Sequence, residues 1–337
     1  MQRTYLLIVS IALAACWSAG SLAQELTVSE VEAPPGNATA GLSDLDSERR
    51  LEFQDAMKRR DYKQAETILV REIDRNVKSP RRARLLVLAA GIFFLDGQYL
   101  NSAIAWQKAA AITPLDDRSR FTLAMAYIRL NRRDWAKREL QKLAGAQPSN
   151  ALYAYWVARL DFDAQDYAAA IAGFRKVIEL DPKMLRAYDG LGLCYDYLGR
   201  TDEAITNYSK AVELNRLQLK PSPWPHLDLA VTLITVNRLA EAENNLREAL
   251  HYDARLPQAH YQLGRVLEMQ GKYPAAIEAL KQAEAADATY PEPHFLLGRI
   301  YHRLGEGSLA QDEIDRFQQL KKAAETTANS DPSRPSK

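Results

Sequence analysis

The chain has 337 residues, 47% apolar and 26% charged, which is enough material for a packed, soluble core. Its 44 basic residues balance 43 acidic ones, so it lacks the basic excess of a dedicated nucleic-acid binder. Only two cysteines occur, Cys16 and Cys194, which excludes a framework of disulfides.

Residues 1–23 read as a secretory signal. Arg3 precedes an apolar stretch from Tyr5 to about Trp17, short for a membrane span and ending in small residues. Two processing sites compete. Ser21-Leu22-Ala23 fits cleavage after Ala23 and release of a soluble chain, whereas Leu13-Ala14-Ala15-Cys16 resembles the bacterial lipobox, with Cys16 lipidated. Either outcome implies an exported, periplasmic protein, and the second a membrane-anchored one. Residues 24–45 carry Pro34-Pro35-Gly36 and Gly41 without apolar periodicity, and are expected to be a flexible acidic linker.

Beyond the linker a period of 34 governs the sequence. Small side chains recur at Ser102, Ala136, Ala170, Ala204, Ala242, Ala276 and Ala310, with one interval of 38 between Ala204 and Ala242. A second small register runs through Ala90, Ala124, Ala158, Gly192, Ala230, Gly264 and Gly298. Small residues are needed where helix backbones approach closely, so the repetition predicts the same helix crossing in every unit. Between the registers lie Gly97, Asn131, Gln165, Gly199, Asn237, Gly271 and Gly305; all but Gln165 are residues that favour the left-handed conformation past a helix C-terminus. Pro114, Pro148 and Pro182 stop the second helix of their units.

These units resemble tetratricopeptide repeats. The family pattern also expects a bulky residue four after the register of Ser102 and Ala136, met by Trp106, Leu140, Phe174, Tyr208, Leu246, Leu280 and Ile314. A small or aliphatic residue follows three later at Ala109, Leu143, Val177, Ala211, Ala249 and Ala283. Seven repeats span 83–324, and a degenerate eighth, with Tyr62 and Ala65 in place, precedes them. The resemblance implies an all-α fold: an α-solenoid, a right-handed superhelix of antiparallel helix pairs with about eight repeats. A first block of about five repeats is expected over 46–216 and a second of three over 223–324, its last helix serving as a cap. The inserted loop 217–222 carries Pro221, with Pro223 and Pro225 after it, and residues 325–337 should be a disordered tail.

No catalytic constellation, metal set or cofactor motif emerges. His226, His260 and His294 recur at the repeat spacing, too far apart to share one metal ion, and are assigned to packing. Cys194 reads as a buried, inert thiol. By the family resemblance the first helices line a concave groove. Three of them place an aromatic residue four before an arginine, at Tyr155/Arg159, Tyr261/Arg265 and Phe295/Arg299, and Phe121 extends the aromatic run. A ring beside a bidentate donor suits a protein or peptide partner with carboxylates. The expectation is therefore a non-enzymatic scaffold of the bacterial cell envelope, binding protein rather than nucleic acid, and touching the membrane only through a lipidated Cys16. The alternative is a regulatory subunit that contacts glycan or peptidoglycan enzymes, or their sugars, with its groove aromatics.

Overall fold

The computed structural model describes residues 38–75 and 80–330, so the signal, Cys16, the first part of the expected linker and the last seven residues lie outside it. Among the described residues every regular element is a helix. Helix α1 (Ala38–Ser43) leads into the pair α2 (Ser47–Lys58) and α3 (Tyr62–Arg75). Then come α4 (Pro80–Leu95) with α5 (Tyr99–Ala110), and α6 (Asp117–Arg129) with α7 (Arg133–Ala146). Next are α8 (Ala151–Asp163) with α9 (Tyr167–Leu180), and α10 (Leu185–Tyr197) with α11 (Thr201–Asn215). The series closes with α12 (Trp224–Thr235) and α13 (Leu239–Tyr252), α14 (Pro257–Met269) and α15 (Tyr273–Ala286), and α16 (Glu292–Arg303) and α17 (Gly307–Ser330).

The chain forms two compact units, divided between Val157 and Ala158 inside α8. In the N-terminal unit α4 packs on α5, α5 on α6 and α6 on α7, and the first helices α4 and α6 also touch. In the C-terminal unit each helix from α9 to α17 packs on the next, with α12 touching α14 and α14 touching α16. One hairpin cannot cover its own apolar face; its neighbours do so.

The tight turn within each pair is built the same way every time. Gly97, Asn131, Gly199, Asn237, Gly271 and Gly305 all have positive φ, between 55° and 82°. Gln165 (φ 62°) and Arg60 (φ 57°) take the same conformation without the residue type that favours it. The next residue then donates its backbone N–H five residues back, as from Gln98 to Phe93, Arg200 to Tyr195 and Lys272 to Leu267, each at 2.8 Å. These bonds satisfy carbonyls that the helix end would otherwise leave without partners. Position decides the turn, and composition follows it in six cases of eight.

The two small registers meet the bulky one. Ala90, Ala124, Ala158 and Ala230 are fully buried, as are Trp106, Leu140, Phe174, Tyr208, Leu246 and Leu280. A Cβ added at Gly192 would lie 2.5 Å from the Tyr208 ring, and one at Gly264 would lie 2.6 Å from Leu280. At Gly298 it would lie 2.9 Å from Ile314. The bulky side chain of the second helix thus seats against the smallest point of the first. Each such burial stabilises the fold by about 1.5–3 kcal/mol. Ser102 fits its small slot by donating its hydroxyl to the Ala90 carbonyl at 2.8 Å.

Three boundaries differ from expectation. The flexible linker does not extend to residue 45: α1 packs on α4, Leu45 is buried, and Asp44 accepts two hydrogen bonds from Arg84 at 2.6 and 2.8 Å. A six-residue helix with a single leucine, Leu42, is too short to show periodicity, which hid it in the sequence. The last helix continues to Ser330, past the expected end at 324. Finally, the units divide inside α8 and not at 217–222. That insertion is closed by the buried Asn215, whose side chain bonds the Ser222 carbonyl at 2.7 Å and its N–H at 2.8 Å, so α11 and α12 stay in contact.

Candidate functional site

The predicted aromatic–arginine positions fall into two environments. On α14 and α16 they come together at a surface. Tyr261 is half-buried with its ring edge-on to Tyr290, centroids 5.6 Å apart, and partial burial raises its phenol pKa. Arg265, one helical turn on, donates to the neutral side-chain oxygen of Gln262 at 2.7 Å, so its charge has no carboxylate partner among the described residues. Phe295 is 47% exposed and leans on Phe317 of α17 at 5.3 Å, with the Lys321 ammonium 5.5 Å over the Phe317 ring. Arg299 is already engaged, its guanidinium gripping the buried Glu268 through two hydrogen bonds of 3.0 and 2.5 Å.

Around α6 and α8 the expectation of a solvent-facing surface is corrected. Phe121 is buried against Tyr153, ring centroids 5.7 Å apart, and Tyr155 is only 2% exposed beside Trp156. Arg159 is 4% exposed, with its guanidinium 5.5 Å over the Phe162 ring and its Nε 3.4 Å from Asp163. Large aromatic neighbours fill the space that a ligand would need. Of the seven expected groove residues, Tyr261, Arg265 and Phe295 remain reachable, with Arg299 beside them but occupied.

Sequence reasoning missed the supporting residues. Glu268 lies three after Arg265 on the same helix face, and its link to Arg299 spans 31 residues, one repeat less three. Pairing adjacent repeats at that offset would have found it. It also missed the exposed aromatic corner where the Tyr167 and Tyr197 rings stack at 5.3 Å, with Phe162 5.5 Å from Tyr197. These residues sit at helix ends, outside the registers that defined the repeat.

Cys194 is fully buried, and burial pushes its thiol pKa up to about 12. Among the described residues no helix is long and apolar enough to cross a membrane. His226 is buried with Nδ1 2.9 Å from the Asn245 side-chain oxygen, and His260 Nε2 lies 3.0 Å from the Ala254 carbonyl.

A tetratricopeptide-repeat family model matches residues 50–117 and 121–184, a second matches 185–216, and a TPR-repeat model matches 269–305. The chain is a tetratricopeptide repeat protein. No curated protein matches it in sequence. A solved tetratricopeptide repeat protein from Parabacteroides merdae is similar at 17% identity and TM-score 0.59, over 78% of this chain and 98% of that one. PilW, a widely conserved type IV pilus biogenesis factor, is similar at 19% identity and TM-score 0.55, over 60% of this chain and 92% of its own. The Cut9–Hcn1 hetero-tetramer of the APC/C offers a third similar chain, at 15% identity and TM-score 0.55, covering 83% of this chain and 54% of that one. At these identities the likeness is one of fold.

Proposed function

We propose that this tetratricopeptide repeat protein is a non-enzymatic scaffold of the bacterial cell envelope that holds a protein or peptide partner against α14 and α16. The observations that carry the reading are the exposed Phe295 ring on α16 and, on the contacting helix α14, Arg265, whose charge has no carboxylate partner among the described residues. An exposed aromatic face on one helix and a guanidinium free of carboxylates on the next favour a partner that offers both an apolar side chain and an acidic group. The buried Glu268 holds Arg299 in place beside them. Two proteins of similar fold, PilW, a type IV pilus biogenesis factor, and the APC/C Cut9–Hcn1 hetero-tetramer, are consistent with partner binding on this fold. Scaffolding of this kind acts by raising local concentration and needs no chemistry of its own. Export rests on the N-terminal signal pattern, with either a soluble form from Gln24 or a form lipidated at Cys16.

The test is in-cell crosslinking with mass spectrometry on the full chain and on the Arg265→Ala, Phe295→Ala double variant. The wild type should crosslink to an envelope protein through α14 and α16, and the double variant should lose that partner at least tenfold with an unchanged helical spectrum. A partner profile identical in both proteins overturns the assignment. Cys16→Ser, or globomycin, should alter processed mass and detergent partitioning in the lipidated form and leave the soluble form unchanged.

A further inference from the structure

The histidine slot that recurs through the last repeats changes character at its end. In α12, His226 faces a neutral amide, Asn245, nineteen residues on. In α16 the same offset pairs His294 with Glu313 of α17, Nδ1 to Oε2 at 2.7 Å. A second carboxylate reaches the same nitrogen, since Glu284 of α15 places Oε1 3.0 Å from Nδ1. The three ligand-type atoms lie within 4.8 Å of one another. His294 is 9% exposed, whereas the two glutamate side chains retain about a fifth of their surface.

Hydrogen bonding alone does not satisfy this cluster. An imidazole nitrogen carries at most one hydrogen and serves one carboxylate at a time. Glu284 Oε1 is buried and accepts no hydrogen bond among the described residues. A divalent ion resolves the shortage, because one cation accepts lone pairs from all three atoms together. Tetrahedral zinc with bonds near 2.0–2.2 Å needs donors about 3.3–3.5 Å apart. The observed 2.7 and 3.0 Å separations reach that by side-chain shifts of a few tenths of an ångström. A nitrogen donor among two oxygens favours a first-row transition ion over calcium or magnesium, which prefer oxygen alone.

We propose that Glu284, His294 and Glu313 form a binding site for one divalent transition-metal ion of the zinc class. The ion takes Nδ1 of His294 as the unprotonated tautomer, one oxygen from each glutamate, and water in its open position. It ties α15, α16 and α17 together and so fastens the terminal helix, which buries few side chains of its own. The site is structural, and it is independent of the partner-binding reading.

The experiment titrates the chelator-stripped full chain with zinc chloride by calorimetry, alongside thermal melts and cobalt(II) absorption spectra. The wild type should bind one zinc ion, melt at higher temperature with zinc, show tetrahedral cobalt bands, and respond to neither calcium nor magnesium. Glu313→Gln, which preserves side-chain size, and His294→Ala should each weaken zinc at least tenfold. His251→Ala and His302→Ala, at exposed histidines, should leave it unchanged. Failure of the wild type to bind zinc, or binding of the same strength in Glu313→Gln and His294→Ala, overturns the site.

Discussion

Gly192 stands so close to Tyr208 that a single added carbon would lie 2.5 Å from the ring. The ring is fully buried and has nowhere to go. In an open helix, alanine would be favoured over glycine by about 1 kcal/mol. Here overpacking, about 1–3 kcal/mol, opposes it. Gly192→Ala should therefore lower the unfolding free energy in urea despite its better helix propensity. Combining it with Tyr208→Leu should be less damaging than the sum of the two single changes. A stabilised Gly192→Ala, or strict additivity, would remove the steric explanation.

Gln165 occupies the left-handed turn position at φ 62°, where six other repeats carry Gly or Asn. Relief of its backbone strain outweighs the flexibility that glycine adds to the unfolded chain, so Gln165→Gly should stabilise by about 0.5–1 kcal/mol. Gly199→Ala, at the matching turn with φ 69°, should destabilise by about 1–2 kcal/mol. Urea melts of both variants check the pair, and opposite signs are the expected result.

Burial lowers the His226 pKa, so the folded chain keeps this imidazole neutral. A base with a depressed folded pKa gives stability that is complete above its unfolded value, about 6.5, and is lost as the pH falls below it. Thermal melts between pH 7.5 and about 5 should show a steeper acid loss for the wild type than for His226→Gln, which does not titrate. Parallel curves would show that protonation of His226 is not what acid acts upon.

Cys194 should resist thiol reagents in the native state, because its thiol is buried and titrates at about 12. Labelling should proceed only as the chain unfolds in denaturant, with the same midpoint as loss of helical signal. Rapid stoichiometric labelling of the native Cys194 thiol would contradict its position in α10.

The fold was legible because its rules repeat. Two small registers, one bulky register and one turn position, each at a spacing of 34, specify a helix pair in which Gly264 meets Leu280 as Gly192 meets Tyr208. The site was legible only as a list of positions. Tyr155/Arg159 and Tyr261/Arg265 have the same spacing and residue types, yet the first pair is buried and the second borders the surface. What separates them is what surrounds each pair: Trp156 and Phe162 of the same helix crowd the first, while Gln262 of its own helix and Tyr290 of the loop before α16 frame the second. The Glu284, His294 and Glu313 cluster was invisible for a related reason. Periodicity compares equivalent positions, whereas these three come from non-equivalent positions on successive helices.

The clasp between Asn215 and Ser222 has a practical consequence for anyone wishing to mark or immobilise the molecule. It ties off the excursion like the neck of a bag, and Leu219 at the tip stands wholly in solvent. An epitope or fluorophore-acceptor peptide spliced between residues 218 and 220 would hang outside that knot, leaving the repeats on either side to meet as before.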